Sequence, residues 1–168
     1  MTRKEQETLF EKCRTYRRFL QKPLPEGLLS YLVGIAHKRS CGRNGQVLSF
    51  YAAVSSKALA ALLPHLHWAA ALPKEIGTPQ KEEEPVASFL VRPKDASPIS
   101  LIDAGIAVDS MAYCAMCEGV GSAILAALIG QLSRGFWALK RIRRSFFVLP
   151  LAIQPTRAPC PCTGKRNP

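Results

Sequence analysis

The stretch from Ser100 to Cys117 constrains this chain more than any other. Leu101, Ile102, Ile106, Met111, Ala112 and Ala115 recur there at helical spacing and on more than one side of the helix. That pattern predicts a long helix largely enclosed by other elements. It must stop at Gly119, and Gly119-Val120-Gly121-Ser122 reads as a tight backbone turn. A helix of this kind needs a core around it, and 168 residues of which 48% are hydrophobic can build one. The same length is too short for two ordinary domains. The expectation is one domain over residues 1–155 and a basic, poorly ordered tail over 156–168. An intrinsically disordered chain is excluded, because its apolar content would be far lower.

The remaining elements follow in an irregular order. Residues 2–13 read as a helix with Leu9 and Phe10 on its apolar side, and a second helix is predicted over Glu26–Lys38, where Leu28, Leu29, Leu32, Val33 and Ile35 share helical spacing. Ser40 to Gln46 is a glycine-punctuated loop, Val47–Val54 a strand, and Ser56–Leu63 a short helix closed by Pro64. After Trp68–Leu72 comes a loop with Pro73, Gly77, Pro79 and Pro85, long enough to serve as a lid. Its Lys81-Glu82-Glu83-Glu84 run is expected to be solvated. Val86–Val91 is a strand ending before Pro93. Ser145–Ile153 is a last buried strand, and its Pro150 suits a sheet edge or a bulge. With no repeat and no regular βαβ spacing, the fold class is α+β.

Charge is concentrated rather than general. The net charge is +11, yet residues 1–118 balance at only +3, and the eight basic residues from Gly119 onward meet no acid. Such a segment can mark contact with nucleic acid, but interleaved aromatics and a recognition-module pattern are missing, which makes a basic nucleic-acid-associated protein the minor reading. The acid-free ending is either a native basic arm or a reading-frame change within residues 131–168. The first residues alternate charge where a secretory signal needs an apolar stretch, and the longest apolar run, about Ala123 to Ile129, falls far short of the roughly 20 residues that span a bilayer. A soluble, cytoplasmic protein without a membrane partner is expected.

The six cysteines are expected to be reduced thiols. Cys114-Ala115-Met116-Cys117 has zinc-like spacing but no matching second pair, so both read as small buried hydrophobes of the long helix. His65-Leu66-His67 lacks a third ligand.

Two segments carry binding chemistry. Arg14-Thr15-Tyr16-Arg17-Arg18-Phe19 sets guanidinium forks beside a hydroxyl, a combination that suits phosphate. Asn44-Gly45-Gln46 offers carboxamides that both donate and accept, as the edge of a pyrimidine or flavin ring requires. Glycines at 119 and 121 would let backbone approach a flat ligand, or simply end the helix.

Taken in order, these segments resemble the FMN-dependent nitroreductase family. The family's Arg-Ser-x-Arg-x-Phe opening is matched by Arg14 to Phe19 with Pro23 and Pro25 beyond, and its Asn-x-Gln-Pro loop by Asn44-Gly45-Gln46-Val47. Trp68-Ala69, the Gly77-Thr78-Pro79 to Glu83-Glu84-Pro85 stretch, Asp103-Ala104-Gly105-Ile106-Ala107 and Gly119-Val120-Gly121-Ser122 resemble later family motifs. The resemblance spans about residues 9–130 and rests on the order of its motifs.

The resemblance implies a mixed or antiparallel sheet flanked by helices, in a homodimer that holds FMN at the subunit interface. NADH or NADPH would be the reductant, and a nitro compound, quinone or similar small molecule the acceptor. Arg14 and Thr15 would face the FMN phosphate or ribityl chain. Arg17 would lie by the pyrimidine side of the ring, where a cation offsets negative charge near N1. Asn44 and Gln46 would serve ring or ribityl oxygens, Ser40 and Cys41 would come from the second subunit, and Val120, Gly121 and Ser122 would line the ring near N5. No catalytic acid, base or nucleophile is implied. The chain departs from the family in having Cys13 where an Arg often stands, Val47 where Pro is usual, and no secure basic phosphate ligand near its end beyond Lys165-Arg166. Those departures support an alternative, a degenerate non-enzymatic member with weak or no flavin binding.

Overall fold

The computed structural model describes residues 2–69, 72–127 and 146–154. Helix α1 (Arg3–Lys12) opens with a reciprocal cap in which the Thr2 hydroxyl accepts the Glu5 N–H and the Glu5 carboxylate accepts the Thr2 N–H. None of its residues is buried. Helix α2 (Leu28–Lys38) starts two residues later than its spacing predicts, because Gly27 turns the chain at a φ of +72° after Pro25. Strand β1 (Leu48–Ala53) leads to α3 (Ser56–Leu62), whose Ser55 cap accepts the Ala58 N–H. Pro64 lies inside a following tight turn over Leu63–His65. The proline-rich loop contains a single helical turn, α4 (Lys74–Gly77), and a tighter one at Lys81–Glu83. Strand β2 (Ala87–Pro93) runs on through Pro93, which stands opposite Leu48.

The enclosed helix is α5 (Pro98–Cys117), with Ser97 as its cap and Pro98 at its first position. It buries Ala104, Ala107, Val108, Met111, Ala112 and Ala115. By length and composition alone it could cross a membrane. Here it is a core helix, and it carries a buried Asp103. Cys114 is half-buried in it and Cys117 is exposed, so only the first of the pair behaves as the expected apolar filler.

Gly119, at a φ of +73°, turns the chain into β3 (Val120–Ser122), and β4 (Leu125–Ala127) and β5 (Phe146–Ile153) complete the sheet. Two expectations are corrected here. Residues 120–122 are a strand rather than a turn, because they pair with Leu151–Ile153, a partner about thirty residues away that a local pattern cannot reveal. β5 is also a central strand: the order is β1-β2-β5-β3, every pairing is antiparallel, and β4 pairs the other end of β5. Pro150 is tolerated because β3 covers Leu151–Ile153 and β4 covers Phe146–Val148, so neither supplies a partner for Leu149 and Pro150.

Alternation along the strands divides the interior into two cores. Ala87, Phe89, Val91, Leu149, Leu151 and Val120 pack against α2 and α5. Leu90, Val148, Ala152 and Ala53 face the other way, onto Phe19, Leu59, Leu62, Leu63, Leu66 and Trp68. The expected tail, 156–168, and all but residues 146–154 of the 131–168 stretch weighed as a frame change lie outside the described residues.

Candidate functional site

The arginine segment is not the end of a helix. α1 stops at Lys12, and residues 15–20 run extended beside the short edge of the sheet. Thr15 bridges Ser122 in parallel, the Tyr16 N–H donates to the Ser122 carbonyl at 2.8 Å, and the Leu20 N–H donates to the Ile153 carbonyl at 3.1 Å. The fold thus brings Arg14, Thr15 and Arg17 together with Val120, Gly121 and Ser122. Arg14 and Arg17 are half-buried and Thr15 is exposed, whereas Val120, Gly121 and Ser122 are buried within the chain. The space freed by Gly121 is used by protein: a Cβ there would meet the Tyr16 ring at 2.9 Å and the Gln154 side chain at 3.0 Å. That glycine serves close packing rather than an open face for a flat ligand.

Arg17 reaches the segment before the proline-rich loop, and Arg18 and Phe19 reach the loop itself. The Arg17 Nε donates to the Trp68 carbonyl at 3.0 Å. Arg18 pairs with the Glu83 carboxylate and donates to the Glu75 carbonyl, and the Phe19 N–H donates to the Glu83 carbonyl. The Phe19 ring lies 6.3 Å from Trp68, and the Gln21 amide donates to the Glu84 carbonyl. The acidic run is therefore not simply solvated: Lys81 and Glu82 are exposed, while Glu83 and Glu84 are half-buried and hold the loop to the arginine strand. Cys13, the cap of α1, is half-buried beside that strand. Burial pushes its thiol pKa up, with Asp109 and Cys117 adding to the effect and Arg14 opposing it, so it is a neutral thiol at neutral pH.

Ser40, Cys41, Asn44 and Gln46 form a second group. Ser40, Asn44 and Gln46 are exposed, Cys41 is half-buried, and a tight turn at Gly42–Asn44 shapes the segment. Arg43, Asn44 and Gln46 all take left-handed backbone, at φ of 55°, 51° and 46°. Residues with a Cβ occupy that region at a cost. The Gln46 amide donates to the Asn44 side-chain oxygen at 3.3 Å. The Asp103 carboxylate accepts the Gly42 N–H at 2.9 and 3.1 Å. This loop precedes β1 at one edge of the sheet, while the arginine segment starts beside β3 at the other.

Sequence reasoning missed Trp68, Glu83 and Asp103 as members of these groups. Asp103 had a usable signal, since a lone carboxylate on the inner side of an apolar helix must find a donor. Trp68 contributes a backbone carbonyl, which leaves no side-chain signature.

No protein-family model matches the chain, and no curated protein matches its sequence. Solved structures do. An iodotyrosine deiodinase bound to FMN and 3-iodo-L-tyrosine aligns with a TM-score of 0.75 at 18% identity, over 96% of this chain and 95% of that one. A nitroreductase family protein from Clostridium novyi NT aligns with a TM-score of 0.71 at 18% identity, over 89% and 85%. A nitroreductase with bound FMN from Desulfitobacterium hafniense DCB-2 aligns with a TM-score of 0.70 at 15% identity, over 95% and 93%. These alignments cover most of each chain, and the chain has the fold of the nitroreductase family proteins.

Proposed function

We propose that this protein is an FMN-dependent oxidoreductase that acts in the cytoplasm as a homodimer, taking reducing equivalents from NADH or NADPH and passing them to a small-molecule acceptor such as a nitro compound or quinone. The observation that carries this reading is the division of its candidate donors between the two edges of the sheet. A second chain would bring one group of each kind together, and the outer face of α5 offers a surface for it, with Ile99 and Ile102 52% and 57% exposed.

The donor set fits the cofactor. Arg14, Thr15 and Arg17 supply cations and a hydroxyl for the phosphate and ribityl chain, and Asn44 and Gln46 supply carboxamides for ring oxygens and N–H groups. No candidate residue is acidic. Bound FMN would supply the electron transfer, and the chain binds and orients it. Arg17, anchored on the Trp68 carbonyl, would supply the cation on the pyrimidine side. The Arg18–Glu83 pair keeps the proline-rich loop against that strand.

A specific observation favours the second reading, a degenerate member: the neutral Cys13 thiol occupies a position where a phosphate-binding cation would strengthen the site. One experiment separates the two. The purified protein is scanned for a flavin band in moderate salt, titrated with FMN, treated with NADH or NADPH, and offered a nitroaromatic, a quinone and a halogenated aromatic. A band that bleaches and recovers supports the enzyme. Folded protein that binds no added FMN overturns it.

A further inference from the structure

We propose that Asp103 is a positioning residue for the Cys41–Gln46 loop, and that it fixes the backbone from which Asn44 and Gln46 are presented. What the loop presents rests on the flavin reading above; the shape of the loop does not.

Asp103 is only 4% exposed. Both its carboxylate oxygens accept the Gly42 N–H, across 61 residues of sequence. Among the described residues no cation pairs with it. Burying a carboxylate without a counter-charge is unfavourable, and an apolar residue would suit this place in α5 better if packing were its only task. The loop supplies a reason for the acid. A Cβ on Gly42 would lie 2.5 Å from Ile99 Cγ1 and 3.5 Å from Asp103 Oδ2, so the loop backbone is pressed onto the first turns of α5. Directly after this anchor come the three left-handed residues, Arg43, Asn44 and Gln46. Such backbone persists only where the surroundings over-determine it.

The other bonds of the loop do not tie it to α5. The Asn44 N–H donates to the Cys41 carbonyl at 3.2 Å and the Gly45 N–H to the Gly42 carbonyl at 3.0 Å, both local. Gln46 reaches the His37 carbonyl only at 3.5 Å. The Asp103 bond is thus the tether that sets the loop on the body of the protein. Asp103 also lines one small cleft together with Ser40, Cys41 and Gln46.

The test uses the full chain with two readouts. The first is the alkylation rate of Cys41 under native conditions, read by peptide mass spectrometry against Cys114 in the same sample. The second is FMN affinity by fluorescence quenching. Asp103→Ala is expected to speed Cys41 alkylation and weaken FMN binding, each by about tenfold, the scale of a hydrogen bond to a charged group. Asp103→Asn keeps an acceptor oxygen and is expected to stay near wild type on both. Gly42→Ala reaches the same loop without changing α5, and it should reproduce the Asp103→Ala effects and be partly rescued by Ile99→Ala. The proposal is overturned if Asp103→Ala lowers only the melting temperature, or if Asp103→Asn behaves like Asp103→Ala. Should Asp103→Ala fail to fold, the Gly42→Ala and Ile99→Ala pair decides. If wild-type protein binds no FMN but Cys41 labelling responds as expected, the tether stands and the flavin reading falls.

Discussion

The two edges of the sheet hold their candidate residues by different means. On one side, Thr15 to Leu20 passes from the edge strand β3 to the end of β5, tied by backbone bonds to Ser122 and Ile153, and the Tyr16 ring covers Gly121. At the β1 edge, the Cys41–Gln46 loop leaves the sheet, takes left-handed backbone at three residues, and leans on one buried carboxylate. The arginine segment is held by two isolated backbone bridges, and the carboxamide loop by strained backbone and a side-chain anchor. The contrast teaches that the two groups of candidate residues draw their rigidity from different sources.

The largest effect expected comes from denying the two groups to each other. Ile102→Glu on the exposed face of α5 should give a monomer by light scattering and lower FMN affinity by about a hundredfold or more, because a carboxylate buried unpaired between two chains costs several kcal/mol. A monomer that binds FMN as tightly as wild type would break the comparison outright.

Within the β3 edge, Gly121→Ala forces a methyl to 2.9 Å from the Tyr16 ring, and over-packing of this kind should cost about 1–3 kcal/mol in urea denaturation. Gly34→Ala in α2, where a Cβ meets nothing within 4 Å, should instead stabilise by about 0.5–1 kcal/mol. Equal signs for the two would refute the claim that Gly121 is held by close packing. Arg17→Ala should then weaken FMN binding by about tenfold with the fold intact, and Arg17→Lys should recover only part of it, since lysine lacks the fork that holds the Trp68 carbonyl.

The smallest effect concerns the start of α5, the helix that carries the loop's anchor. Donors from Ser97, side chain first and backbone next, lower the exposed Asp95 carboxyl from an ordinary 3.8 to about 2. A carboxyl whose folded value is depressed stabilises fully above its unfolded value and loses that contribution as pH falls through the folded one. The difference in urea midpoint between wild type and Asp95→Asn should therefore be constant near pH 5 and shrink on acidification toward pH 2. A gap that widens on acidification would contradict this assignment.

Much of the fold was legible because its signals are local. The apolar spacing of α2 and α5 and the glycine at 119 that ends α5 are each read within a few residues. β3 was not legible, since three residues show no usable period and their partner is remote. Pro150 misled because its tolerance depends on the break between β3 and β4, a property of the assembled sheet.

Of the candidate site, residue types and their order were readable, but their grouping was not. Amino-acid chemistry by itself determined that this chain would place arginines and carboxamides on two separate loops, and that a long apolar helix would organise an α+β core. Only tertiary structure decided that Arg18 pairs with Glu83, that Asp103 reaches Gly42, and that the arginine and carboxamide groups start from different edges of the sheet. The reason is physical: periodicity and capping act within a turn or two of chain, whereas strand order and buried tethers arise from contacts whose partners the local sequence does not encode.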